Sequence, residues 1–127
     1  MEEKKPKKIL IVEDEQELIS SLTTLFKSGG YLTLAAYDAL YGISLAHKEN
    51  VDLIILDLGL PAGGGLYVLE HLKKSVMTNS IPVLVLTARQ EKELEEKADR
   101  LGVEAYLHKP FDPKELLAKI KEILETK

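Results

Sequence analysis

Short runs of consecutive apolar residues alternate along the chain with longer stretches in which apolar residues recur every three or four positions. An uninterrupted apolar run predicts a strand buried on both faces, and a spacing of three to four predicts an amphipathic helix. Ile9 to Val12 predict the first strand. Leu18, Leu22, Leu25 and Phe26 then predict a helix, and Gly29 and Gly30 stop it. YLTLA predicts a second strand, after which Asp38 is placed to cap a helix with Ala39, Leu40, Ile43 and Ala46 on its apolar face. VDLIILD predicts a third strand, and Leu66, Leu69, Leu72 and Val76 mark the helix after it. IPVLVLTA predicts the fourth strand, followed by EKELEEKADRLG, whose few apolar residues (Leu94, Ala98, Leu101) predict a thinly buried helix. AYLH predicts the fifth strand, and Asp112 with Pro113 opens a last helix that turns Leu116, Leu117, Ile120, Ile123 and Leu124 inward.

Strict alternation of β and α elements requires a parallel sheet covered by helices on both faces. Five strands are too few for a (β/α)₈ barrel, which leaves an α/β, flavodoxin-like, doubly wound (βα)₅ fold with its five-stranded sheet in the order 2-1-3-4-5. No repeat or linker interrupts the pattern, so residues 1–127 are expected to form a single domain with its core at about 8–125. The composition, 45% hydrophobic and 30% charged, is that of a soluble globular chain, and no apolar run approaches the ~18 residues of a membrane span. MEEKKPKK is followed by only four apolar residues, too few for a secretory signal, so a cytoplasmic location away from the membrane is expected. The absence of cysteine excludes disulfide and thiolate chemistry. A net charge of −4 argues against direct binding of nucleic acid.

In open sheets of this kind ligands sit outside the carboxyl ends of the strands, at the switch point between strands one and three. Strand one ends in Glu13 and Asp14, strand three in Asp57, strand four in Thr87, and strand five in His108, Lys109 and Pro110. Singly, each has an ordinary reading: an acid after a strand caps the next helix, a threonine serves a turn, a lysine is a solvated charge. Their shared edge, across four βα units, favours a site. Three carboxylates so close need a counter-charge, and Lys109 supplies only one. A hard divalent cation with oxygen ligands, Mg²⁺ above all, makes up the deficit.

At this point the chain resembles the receiver domain of bacterial two-component response regulators, from Lys8 to the final helix. The resemblance is carried by Glu13 and Asp14 in ILIVEDE, Asp57 and Pro61 in LIILDLGLP, Thr87 and Ala88 in LTA, and Lys109, Pro110 and Phe111 in HKPF. It implies that Asp57 is a phosphoacceptor taking a phosphoryl group from a sensor histidine kinase or phosphotransfer protein, with no substrate turnover beyond autodephosphorylation. It further implies that Asp14, Asp57 and the Gly59 carbonyl ligate Mg²⁺, with Glu13 acting through water, and that Lys109 neutralises phosphoryl oxygens. Thr87 and the backbone at Leu58 and Ala88 would contact the phosphate, and Tyr106 stands at the aromatic switch position. A cis Lys109–Pro110 bond is implied, as is an effector surface on helix 4, strand 5 and helix 5, with room for a phosphorylation-linked dimer. The run EKELEEKADR flanks that surface, and the outward Lys114, Lys119 and Lys121 of the last helix complete it.

Two departures stand out. The acidic pair is Glu-Asp rather than Asp-Asp, and PAGGG places glycine where relatives often carry an apolar residue and then Asp or Asn. The extra glycines predict a mobile hinge at Gly63 to Gly65 beside the site and weaker metal binding. Other readings are disfavoured. A haloacid-dehalogenase-like phosphatase needs a second aspartate at position 59, where glycine stands, and AGGGLYVLE matches neither the P-loop nor G-x-G-x-x-G. His47, His71 and His108 fall on three elements, so no histidine metal cluster is expected. A receiver-like interaction module that is never phosphorylated remains as the alternative. The residues name no output domain, which leaves a stand-alone regulator or a piece of a longer protein.

Overall fold

A computed structural model of the chain describes residues 5–125. Five strands, β1 (Lys8–Val12), β2 (Leu32–Ala36), β3 (Leu53–Leu56), β4 (Val83–Thr87) and β5 (Ala105–His108), alternate with five helices. The helices are α1 (Gln16–Ser28), α2 (Ala39–Lys48), α3 (Gly64–Lys74), α4 (Lys92–Arg100) and α5 (Pro113–Glu125). All strand pairs are parallel, in the order β2-β1-β3-β4-β5. The flavodoxin-like topology expected from the alternation is therefore present.

The central strands bury both faces because successive side chains point to opposite layers. Leu10, Val12, Ile54, Leu56, Val83 and Val85 pack with Ile43, Ala46, Val68, Leu69, Leu72 and Ala98 on the α2–α3–α4 side. Ile9, Ile11, Leu53, Ile55, Leu84 and Leu86 pack with Ile19, Leu22, Phe26, Leu116, Ile120 and Ile123 on the α1–α5 side. Glu13, Asp57 and Thr87 thus emerge at the end of strands whose other residues are held in the core.

The caps read from the sequence are in place. Asp38 Oδ1 accepts the Tyr41 N–H at 2.8 Å, and Asp112 Oδ1 accepts the Lys114 N–H at 2.9 Å at the start of α5. Two inward assignments need correction. Leu40 is 72% exposed, because capping at Asp38 turns Ala39, Gly42, Ile43 and Ala46 to the sheet and leaves position 40 about a third of a turn away. Val76 lies beyond the end of α3 and is 86% exposed; Thr78 occupies the core instead, its hydroxyl donating to the Leu72 carbonyl at 2.8 Å. In α3, Val68 is fully buried while Leu66 is only partly so. As expected, α4 buries only Ala98 completely.

The PAGGG stretch divides in two. Pro61–Gly63 form a single 3₁₀ turn, with Ala62 (φ 57°) and Gly63 (φ 72°) in the left-handed region. Gly64 and Gly65 are not part of a slack hinge, since both are buried in the first turn of α3. A Cβ on Gly65 would stand 2.4 Å from the Asp57 carbonyl oxygen and 2.4 Å from Leu58 Cα. Only glycine lets α3 start this close to the end of β3. Leu60, just before this stretch, is buried.

Candidate functional site

The carboxyl edge of the sheet gathers the acids that the sequence singled out. Glu13, Asp14 and Asp57 each offer an oxygen within 4.8 Å of the others. Glu13 and Asp57 are only 3% and 7% exposed, whereas Asp14 faces solvent. Lys109 reaches across from the end of β5, its Nζ 2.9 Å from Glu13 Oε1 and 3.2 Å from Asp57 Oδ2. The cis peptide between Lys109 and Pro110 is present, and the Lys109 N–H donates to the Thr87 carbonyl at 2.9 Å. Strand ends from β1, β3, β4 and β5 thereby meet in one cleft.

The other oxygen of each buried acid also has a hydrogen-bond partner. Glu13 Oε2 accepts the Glu15 N–H at 2.9 Å, and Asp57 Oδ1 accepts the Gly59 N–H at 2.8 Å. Burial pushes the Glu13 carboxyl above its ordinary range, against the opposing pull of the Lys109 hydrogen bond and with help from the Asp57 charge. Burial also acts to lower the Lys109 ammonium, but the hydrogen bond to Glu13 and the charges of Asp57 and Glu13 outweigh it and hold the ammonium above its usual value. Lys109 is therefore a fixed positive charge. Asp14 has no hydrogen-bond or ion-pair partner among the described residues, so the three acids keep an excess of negative charge.

Thr87 is fully buried, and its Oγ1 accepts the Arg89 N–H at 3.1 Å. The backbone N–H groups of Leu58 and Ala88 carry no hydrogen bond among the described residues, which leaves two donors free at the ends of β3 and β4. Tyr106, on β5, packs against the α2–α3–α4 core with its hydroxyl buried and unpartnered. Burial raises this phenol above its ordinary range, and Glu95 and Glu91 of the α4 region add to the effect.

Sequence reasoning overlooked three features here. Arg89 lies over Gly59, its Cγ 3.5 Å from where a Cβ would be, and its Nε is bound to both oxygens of Glu91 at 3.1 and 2.7 Å. The signal was the opposite charges two residues apart just after Thr87. Gly65 is required by close backbone approach, for which a glycine run is only a weak sign. His47 and His71 do meet across α2 and α3, with ring centroids 5.7 Å apart, although His108 instead lies against Tyr106. The only cluster of three or more metal-ligating side chains among the described residues is the acidic one.

Comparison with known proteins agrees with this edge. Residues 9–121 match the response regulator receiver domain family. The phosphate regulon transcriptional regulatory protein PhoB of Escherichia coli K12 is 37% identical over 118 residues, covering 93% of this chain and 52% of PhoB. The alkaline phosphatase synthesis transcriptional regulatory protein PhoP of Bacillus subtilis is 36% identical over 118 residues, covering 93% of this chain and 48% of PhoP. The chain thus spans about half the length of these relatives. A CheY-like receiver domain protein from Methanospirillum hungatei superposes with a TM-score of 0.90 at 30% identity, covering 96% of both chains. The receiver domain of the sensor histidine kinase PA1611 from Pseudomonas aeruginosa, which has a magnesium ion in its active site cleft, shares the fold at a TM-score of 0.85 and 24% identity. The chain therefore belongs to the response regulator receiver domains of two-component signal transduction.

Proposed function

We propose that this chain is a switch driven by phosphorylation of Asp57, with the phosphoryl group supplied by a sensor histidine kinase or a phosphotransfer protein. The observation that carries the reading is Lys109 bridging Glu13 and Asp57 while Asp14 stands beside them without a cation. Such a cleft sets one fixed cation against the nucleophilic carboxylate and leaves a deficit of positive charge that a divalent cation would fill; the two together would neutralise the phosphoryl oxygens, which is most of what phosphoryl transfer asks of a protein. The oxygen-only donor set of Glu13, Asp14 and Asp57, with the Gly59 carbonyl, suits Mg²⁺, which when bound would supply further neutralisation of phosphoryl oxygens.

In this reading an Asp57 oxygen attacks the phosphorus of a phosphohistidine. The new P–O bond forms as the P–N bond breaks, and the electron pair of that bond leaves with the imidazole. Lys109 holds one side of the phosphoryl group, the N–H groups of Leu58 and Ala88 donate to it, and the Thr87 hydroxyl turns to it from its present acceptor role toward Arg89. Tyr106, whose hydroxyl gains nothing where it lies, would move with Thr87 and reshape the face of α4, β5 and α5 that meets an effector. The chain is a signalling module of its family rather than a metabolic enzyme.

The test is incubation with acetyl phosphate and Mg²⁺ followed by intact mass measurement. One phosphoryl group is expected on the wild-type chain and none on Asp57→Asn. A wild-type chain that takes up nothing would instead support the unphosphorylated interaction module.

A further inference from the structure

Beyond Lys109, the cleft has a second cation that is held away from it. Arg89 lies over Gly59, and the position of a Gly59 Cβ is 3.2 Å from Asp57 Oδ1 and 3.5 Å from Arg89 Cγ. The arginine stem therefore starts within those two distances, taken together, of the Asp57 carboxylate, and the guanidinium extends further by the rest of its length. Any side chain at position 59 would stand between them. In the structure the guanidinium points elsewhere: only its Nε is engaged, by Glu91, and its two terminal amino groups have no partner among the described residues. Both members of that pair are about half exposed, so the pair is screened and weakly held. A phosphoryl group in a partly buried cleft offers an arginine fork more charge and better geometry than a solvated carboxylate.

Resting on Asp57 as the phosphoacceptor, we propose that Arg89 is an exchangeable phosphate-binding residue, held by Glu91 until Asp57 is phosphorylated and then transferred to the phosphoryl group. Two further contacts make the exchange consequential. The Arg89 N–H donates to Thr87 Oγ1, so turning the Thr87 hydroxyl toward the phosphate also releases the Arg89 backbone. Glu91 is the residue that opens α4, its carbonyl accepting the N–H groups of Leu94 and Glu95 at 3.1 and 3.2 Å. Loss of the Arg89–Glu91 pair frees the side chain that ties the β4–α4 turn to the site. Phosphorylation would thus reach α4 by a route parallel to the one through Tyr106, and Glu91 would act as a brake on it.

The test uses the intact chain, Mg²⁺ and beryllofluoride as the phosphoryl probe, followed by NMR of backbone amides and of the arginine Nε–H. Beryllofluoride should shift the Arg89 Nε–H and the amides of residues 91–95 in the wild type. Arg89→Ala should bind the probe several-fold more weakly and, even at saturation, show smaller shifts at residues 91–95 than the wild type, keeping only the part that arrives through Thr87 and Tyr106. Glu91→Gln should bind it several-fold more tightly, and Arg89→Lys should restore part of the affinity. If both Arg89→Ala and Glu91→Gln bind within twofold of the wild type, the inference is wrong while the phosphoacceptor reading stands. If the wild type neither binds beryllofluoride nor takes up phosphate on Asp57, both are wrong. The two side chains are exposed enough that neither substitution disturbs the core.

Discussion

Lys109 determines how the cleft responds to pH. Its ammonium is held above the ordinary value of 10.5, so the folded state binds its proton more tightly than the unfolded chain does. That contribution to stability is fully present below 10.5 and is lost as pH rises through the folded value. Glu13 has the same sign, at lower pH. Its carboxyl is raised above 4.5, so the stability it favours is present below that value and falls as pH rises from 4.5 through the folded value. Urea unfolding of the metal-free chain should show a plateau at neutral pH and a decline above 10.5. Lys109→Gln should lower the plateau by about 3 kcal/mol, since it leaves two buried acids without their cation, and should flatten the alkaline decline. An unchanged alkaline slope in the variant would show that Lys109 is not its source. At this scale the types of the site residues were legible from the strand ends, but the Arg89–Glu91 pair was not, because exposed charges two residues apart are common and their direction depends on the turn.

Elements are joined to the site by a close approach of backbone. Helix α3 begins at Gly64 directly over the end of β3, so the Asp57 carbonyl and Leu58 serve as its floor. Gly65→Ala should destabilise the chain by about 2 kcal/mol or more, since the new methyl meets backbone that cannot yield without moving the phosphoacceptor strand. Asp38→Ala, which removes only the cap of α2, should cost about 1 kcal/mol. Urea midpoints of the two variants compare these directly, and a Gly65→Ala as mild as Asp38→Ala would mean that α3 can slide. The strands and helices themselves were readable from apolar spacing. Leu40 and Val76 were misplaced because one-dimensional spacing does not record where a cap starts a helix or where the chain leaves it.

For the molecule as a whole, protection should follow the layers of the sheet. Amides of Ile54 to Leu56 and Leu84 to Leu86 lie between two apolar layers and should exchange slowest, while Ala62 and Gly63, exposed in their left-handed turn, should exchange orders of magnitude faster. Hydrogen exchange resolved by residue decides this, and equal protection of the turn and the strands would remove the idea of a mobile segment beside the cleft. The apolar periodicity by itself determined the five βα units and so the parallel sheet, because chirality and burial allow few ways to cover such strands. Through the switch-point rule it also placed Glu13, Asp14, Asp57, Thr87 and Lys109 at one edge. Only the tertiary structure decided that Lys109 spans both buried acids while Asp14 stays without a cation, that Gly65 is a packing requirement, and that Arg89 lies over Gly59. Those are distances between residues far apart in sequence or on opposite sides of a turn, and they come into being only when strand ends and loops are packed together.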